Sequence, residues 1–204
     1  MMKISYAIFL ITVFIMQNVS AHAGFTPYGR IYKAAKDDRA YLTQAQDSRL
    51  QLKLRKSLFL KDSSTLMSIS SYVFLGHGFL VGETESETVR EELIESAKKV
   101  SGLSGISFYL PVKNADQAVS ETSSALEIKL GGMFEPDYPS SKLTIKVVQN
   151  AVVVLGILAP EEQKKVLESL KKISGSNKII NFLQAPVPGE SKRQRRRPLR
   201  DLFN

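Results

Sequence analysis

The stretch that decides the fold is residues 69–82, ISSYVFLGHGFLVG, because its pattern returns 74 positions later as residues 143–156, LTIKVVQNAVVVLG. Each copy alternates apolar and polar residues, turns, and then runs through apolar residues to a glycine. This is the pattern of a two-strand hairpin. A pattern that recurs at a fixed spacing indicates a repeated structural unit. We therefore expect two copies of one module rather than a single enzyme core.

The residues around each hairpin extend the repeat. A leucine-striped helix precedes each hairpin, and a charged helix ending at Ser-Gly and a short apolar strand follow it. Apolar residues recur every four positions in the first helix of each copy, which predicts one buried stripe: Leu50, Leu54 and Leu58, then Leu126, Leu130 and Phe134. The predicted fold class is α+β, with two α-β-β-α-β modules, each a three-stranded mixed sheet packed against two helices.

Two details of the hairpins are also predicted. The first turn is expected at Gly76-His77-Gly78, where the two glycines would supply positive φ angles, and the second at Gln149-Asn150-Ala151. Residues 143–147 alternate strictly, which predicts a strand with one solvated face. The run of residues 152–158 is almost wholly apolar and is typical of a central strand.

The amino terminus has the features of an export signal. Lys3 precedes an apolar run at residues 4–16, and Ala21-His22-Ala23 fits the small-x-small pattern of signal peptidase. We expect residues 1–23 to be a signal peptide cleaved after Ala23. An uncleaved membrane anchor is the alternative, and it would also place the remaining chain outside the cytoplasm.

The charge of the 204-residue chain is +8, but it is unevenly distributed. Residues 24–190 carry 21 basic and 19 acidic side chains, whereas residues 191–204 carry six basic residues and one acidic residue. The predicted organisation is an arm at 24–46, a first module at 47–113, a linker at 114–123, a second module at 124–185 and a disordered basic tail at 186–204. A cationic tail attracts polyanions such as lipid headgroups.

The sequence offers little for catalysis. With no cysteine, the chain has no disulfide, thiol nucleophile, thiolate metal site or acylated cysteine. His77 is the one histidine after the predicted cleavage site, and without a partner histidine or cysteine it fits a turn residue better than a general base. Phosphate-binding glycine loops are also lacking. We expect no catalytic residues, no metal and no cofactor.

Two segments nevertheless suggest contact with a surface. Met133 and Tyr138 lie off the buried stripe beside a helix end, where amphipathic side chains can enter a membrane interface or meet a partner. The tail can be held by an anionic leaflet at about 1 kcal/mol per charge, or it can simply solubilise the chain. The lipid-binding residues predicted in these two segments are Met133, Phe134, Tyr138, Arg193, Arg195, Arg196 and Arg197.

The two modules resemble the BON domain of bacterial envelope proteins. The resemblance rests on two strand-and-helix pairs, Gly78-Phe79-Leu80-Val81-Gly82 with Val100-Ser101-Gly102, and Val152-Val153-Val154-Leu155-Gly156 with Ile173-Ser174-Gly175. The segment Asp38-Arg39-Ala40-Tyr41-Leu42-Thr43-Gln44, followed by Asp47, is similar to one that precedes the first domain in tandem BON proteins of the DolP/YraP and OsmY type. Ala40 and Leu42 depart from that form.

The resemblance implies a non-enzymatic protein that supports outer-membrane and envelope integrity, with phospholipid contact through the first helix of the second domain. In this chain, that contact would add Lys129 to the predicted lipid-binding residues, beside Met133, Tyr138 and the tail. Gly24 stands where lipoprotein members carry an acylated cysteine. We therefore expect a periplasmic protein, peripheral at the outer membrane, that docks on anionic phospholipid and contacts envelope proteins but not nucleic acid. The alternative is a periplasmic chaperone or adaptor that binds proteins in the groove between the modules. The oligomeric state stays open.

Overall fold

Ten helices and strands form the part of the chain that the computed structural model describes, which is residues 39, 41–61, 68–113, 121–174 and 178–188. These residues belong to one compact unit, Lys36–Asn204. In chain order the elements are α1 (Tyr41–Lys61), β1 (Ile69–Phe74), β2 (His77–Gly82), α2 (Glu87–Lys98), β3 (Gly105–Tyr109), α3 (Glu121–Phe134), β4 (Leu143–Val148), β5 (Ala151–Ile157), α4 (Pro160–Ser174) and β6 (Lys178–Gln184). The predicted α+β class with mixed three-stranded sheets is confirmed. The predicted signal peptide, and all but Arg39 and 41–46 of the predicted arm, lie outside the described residues.

The two sheets have the same topology. In the first, β2 is central, antiparallel to β1 and parallel to β3. In the second, β5 is central, antiparallel to β4 and parallel to β6. The hairpin registers also match, because Ile69 pairs with Gly82 and Leu143 pairs with Gly156. A parallel neighbour requires a crossover, which α2 and α4 supply.

The first helix of each sheet begins earlier than predicted. Helix α1 starts at Tyr41 instead of Asp47, and α3 starts at Glu121 instead of Ser124. Residues 41–46 contain no glycine or proline, so nothing in them stops a helix. The leucine stripe begins only at Leu50, one turn after Asp47, and this is why periodicity of apolar residues placed the start too late.

The prediction for the first turn was wrong in position. Leu75 and Gly76 form it, with φ angles of 50° and 74°, while His77 and Gly78 belong to β2. The Asp47 carboxylate supports the left-handed leucine, because it accepts hydrogen bonds from the backbone N–H of Leu75 (3.0 Å) and of Gly76 (2.8 Å). In the second hairpin, Gln149 takes the corresponding position with a φ of 52°. Side-chain support therefore replaces the expected second glycine.

Both faces of each sheet are covered. Helices α1 and α2 pack on one face of the first sheet around Leu54, Leu80 and Leu93, and α3 and α4 pack on the second sheet around Leu130 and Val154. The opposite faces pack on each other. This third cluster consists of alternate strand residues, which are Phe74, Phe79, Val81, Val148, Val153, Leu155 and Ile157. On the side of β4 that was predicted to be solvated, Thr144 and Lys146 are half-exposed. Val148 at the end of this side packs on the other sheet, so the two sheets and their helices form an α/β/β/α sandwich.

One glycine of the repeat has a steric reason that is the same in both sheets. Gly82 is the last residue of β2 and Gly156 is the penultimate residue of β5, with φ angles of 157° and 146°. A Cβ at either position would lie 2.1 Å from a backbone carbonyl oxygen, that of Ser68 or that of Lys142. The same oxygens accept hydrogen bonds from the N–H groups of Glu83 (3.3 Å) and Ile157 (2.9 Å). Only glycine fits, because any side chain would collide with the carbonyl oxygen that accepts this hydrogen bond.

Candidate functional site

The outer side of α3 carries two of the predicted contact residues. Leu126, Leu130 and Phe134 turn inward onto the second sheet, and several of the residues between them are exposed. Lys129 is exposed, and Met133 is 51% exposed. Ile128, which the sequence analysis did not select, is 75% exposed. Helix α3 therefore presents a small surface of two apolar side chains with a cation between them.

Two other predicted contact residues, Phe134 and Tyr138, pack against the core of the second sheet. Both are half-buried, and their ring centroids lie 6.4 Å apart. The Lys142 ammonium lies 5.9 Å from the centroid of the Tyr138 ring and 3.1 Å from a Glu162 carboxylate oxygen. Burial, assisted by the negative charges of Glu162 and Asp137, raises the pKa of Tyr138. These rings support the helix end and leave limited area for another surface.

A groove of about 460 Å³ runs beside α3. Its walls come from α3, from β4 with the loop before it, and from Tyr72 of β1 in the first sheet. Burial raises the pKa of Tyr72. The lining residues are Tyr72, Glu127, Ile128, Gly131, Phe134, Glu135, Tyr138, Ser140, Leu143, Thr144, Ile145 and Lys146.

Glu127 closes the outer edge of β4 within this groove. One carboxylate oxygen accepts a hydrogen bond from the Val147 N–H (3.0 Å), and the other lies 2.6 Å from the Lys146 ammonium. Burial disfavours the charge of Lys146 and is the largest single effect, but the hydrogen bond to Glu127 and the negative charges of Tyr72 and Glu127 together outweigh it, so the pKa of Lys146 is raised. In α1, Gln51 takes the corresponding place and donates to the Ser71 carbonyl of β1 (2.8 Å). Each opening helix thus occupies backbone hydrogen-bonding groups of an edge strand, which limits pairing with other chains.

His77 contacts a hydroxyl group and an aromatic ring. Its Nε2 lies 2.9 Å from the Ser107 hydroxyl, and its ring centroid lies 5.0 Å from that of Phe79. Burial lowers the pKa of His77. Residue 105 must be small here, because a Cβ on Gly105 would lie 2.9 Å from the imidazole. The histidine joins β2 to β3.

Arg39 links the two sheets. Its guanidinium lies 2.6 Å from the buried Asp47 carboxylate and 5.1 Å from the centroid of the Phe74 ring, and it donates to the Ser141 carbonyl at 3.2 Å. Ser141 precedes β4, so the contact ties the start of α1 to the second sheet. Sequence reasoning singled out Arg39 and Asp47 only through the resemblance, since neither belongs to a periodic pattern.

Helix α1 has a second apolar side that the sequence analysis missed. Leu52, Phe59 and Leu60 are 70%, 49% and 72% exposed. These three apolar residues lie in sequence among the leucines of the buried stripe, so the four-residue spacing of the stripe alone did not reveal them. The signal that could have found them is spacing, because positions 52, 56, 59 and 60 share one helical face.

The remaining site predictions are not tested by these contacts. The predicted tail residues Arg193, Arg195, Arg196 and Arg197 lie outside the described residues. In the described ranges, no group of three acidic or histidine side chains is placed to hold a metal ion. No helix in this part of the chain is long and apolar enough to cross a bilayer.

Comparison with known proteins gives only a distant likeness. No protein-family model and no curated protein sequence matches the chain. Two solved structures of CdsD, a structural protein of the type III secretion system of Chlamydia trachomatis, are similar at 15% identity and a TM-score of 0.28. The first match covers 74% of this chain and 70% of that chain, and the second, a C-terminal domain, covers 70% and 67%. At this TM-score the similarity supports no conclusion about fold or function.

Proposed function

We propose that the chain is a non-enzymatic, tandem BON-type protein of the bacterial periplasm that docks on anionic phospholipid and supports envelope integrity. The observation that carries the proposal is the exposed set on α3, where Ile128 and Met133 flank Lys129. Exposed apolar side chains beside a cation suit the boundary between headgroups and acyl chains. The arginine tail of the sequence adds attraction to an anionic leaflet.

The repeated architecture supports the BON part of the proposal. Two sheets with the same strand order and the same hairpin register carry a glycine at the same constrained position. The family resemblance places a glycine there in each copy.

Vesicle flotation tests the proposal. The full chain, as an exporting host processes it, is mixed with vesicles of phosphatidylcholine alone or with phosphatidylglycerol added, at low and at high salt. We expect binding only to the anionic vesicles, with a loss of about tenfold or more at 1 M salt, because screening shortens the electrostatic range to about 3 Å. Binding that is absent, or that ignores both lipid charge and salt, would contradict the proposal.

A second candidate function, protein binding as a chaperone or adaptor, is favoured by the groove beside α3. The predicted groove between the modules does not lie between the two sheet faces, because Phe79, Val153 and their neighbours fill that space. The groove beside α3 does have a residue of the first module, Tyr72, in its wall. This groove is lined by both apolar and charged side chains, among them Phe134, Leu143, Glu127 and Lys146. Photo-crosslinking from Ile128 in envelope extract tests this candidate: protein adducts that Thr144→Trp prevents would support it, and lipid adducts alone would oppose it.

A further inference from the structure

The outer face of α1 is the most concentrated apolar surface in the described residues. Four of the eight exposed large apolar side chains lie on this helix, which are Leu42, Leu52, Phe59 and Leu60. Helices α2 and α4 carry none. A surface helix ordinarily keeps its outward side polar. The leucines of α1 instead occupy both sides, and only the inner set is needed to hold the first sheet.

Cations surround these exposed side chains. Arg49, Lys53, Arg55 and Lys56 are all exposed, and within the described part none of the four has an ion-pair partner. The one acidic residue of α1, Asp47, is buried and bound to Arg39. At 100° per residue, Leu52, Lys56, Phe59 and Leu60 form one continuous ridge with basic residues on either side. The outward face is therefore cationic and apolar together.

We infer that this face of α1 lies in the headgroup region of an anionic bilayer. Interfacial helices combine leucine and phenylalanine with lysine and arginine in this way, and the charges complement an anionic leaflet. A second copy of the chain is less favourable as the binding partner of this face, because the four cations of one copy would lie opposite the four cations of the other and repel them. The inference rests on the proposed function but assigns the main contact to the first module, whereas the resemblance places it in the second.

Substitutions on α1 test the inference in the flotation assay, with the full chain throughout. Lys53→Gln with Lys56→Gln removes two cations, and we expect about 25-fold weaker binding to phosphatidylglycerol vesicles, at about fivefold per charge. Leu52→Ser with Leu60→Ser is expected to weaken binding at least tenfold. The matched control is Lys164→Gln with Lys165→Gln, which removes two exposed cations from α4 and should leave binding unchanged.

The outcomes separate this inference from the proposed function. If the α1 variants bind like wild type while Ile128→Ser with Met133→Ser does not, the inference fails and the proposed function stands. If wild type binds no vesicle, both fail. If the α1 variants lose only a concentration-dependent dimer in light scattering, a second copy covers the face and the inference is overturned.

A labelled residue gives a second readout that does not depend on affinity. The chain has no cysteine, so Leu52→Cys offers a unique site for an environment-sensitive fluorophore. We expect a blue shift on adding anionic vesicles. The same dye at Glu168→Cys, an exposed position of α4, should not shift. An unshifted dye at position 52 on vesicles that float the protein would overturn the inference.

Discussion

Helices α1 and α3 cover matching faces of two matching sheets, yet their outer sides differ. Both place apolar residues inward at four-residue spacing, and both reach an edge strand through one side chain, Gln51 or Glu127. Outward, α1 shows leucines among four cations, whereas α3 shows Ile128 and Met133 with one lysine and two glycines. Packing thus constrains the inner positions alike, and the outer positions are where the two copies differ in residue type and exposure.

The strongest test of what the copies share is the constrained glycine. Gly82→Ala and Gly156→Ala should each lower the free energy of unfolding by about 4 kcal/mol, because the new Cβ meets a carbonyl oxygen at 2.1 Å in a strained backbone. Gly131→Ala is the control, since a Cβ there meets nothing within 4 Å and alanine favours a helix by up to about 1 kcal/mol. Chemical denaturation measures all three. Unequal losses at positions 82 and 156 would break the equivalence of the two modules.

Substitutions in the cluster between the sheets should have the next largest effect on the free energy of unfolding. Phe79→Ala should cost about 3 to 4 kcal/mol, because the ring is buried and its centroid lies 5.6 Å from that of Phe182 in the other sheet. Hydrogen exchange should show weaker protection in both β2 and β5. Phe108→Ala, at a 43% exposed ring, should cost less than 1 kcal/mol. If Phe79→Ala weakened hydrogen-exchange protection in β2 alone, the result would show that the two sheets fold independently.

The polar ties of the two opening helices should differ in strength. Asp47→Ala removes a buried carboxylate from Arg39 and from two backbone N–H groups, so we expect a loss of about 3 kcal/mol. Glu127→Gln keeps an oxygen for the Val147 N–H and breaks only a part-exposed ion pair, which should cost under about 1 kcal/mol. Thermal unfolding distinguishes the two. Similar losses of stability in the two variants would mean that the ion pair with Arg39 does not add to the stabilisation by Asp47.

The smallest expected effect is the pH dependence of His77. Burial lowers its pKa in the folded protein, and unfolding returns the imidazole to its ordinary value near 6.5. As the pH falls below 6.5, the unfolded chain binds the proton first, so stability present at pH 7 declines toward pH 5. His77→Gln should flatten this part of the stability curve. A decline of the same size in the variant would assign it to other groups.

Much of this fold could be predicted from the sequence because its determinants are local and periodic. The hairpins, the crossover helices and their order follow from spacing and from glycine positions. The packing of one sheet on the other could not be predicted, because alternation shows that a strand has two faces but not what covers the second. The turn at Leu75 also escaped prediction, since its support comes from Asp47, 28 residues earlier.

The candidate site was only partly predictable for a related reason. Met133 was identified because it lies off a clean apolar stripe and Lys129 through the family resemblance, and both are exposed. Leu52 and Leu60 were not identified, because a leucine in a helix that also carries a buried leucine stripe is not recognisable from its residue type as an exposed position. Their exposure depends on which side of α1 the first sheet occupies, and this is fixed by tertiary packing.

The most direct test of the central claim is an NMR titration of the isotope-labelled chain with phosphatidylglycerol-containing bicelles. Backbone amides of Leu52, Lys56 and Leu60 on α1 should show the largest shifts, and phosphatidylcholine bicelles should leave them unchanged. If those amides stay unperturbed by anionic bicelles, the claim that α1 meets the membrane is contradicted.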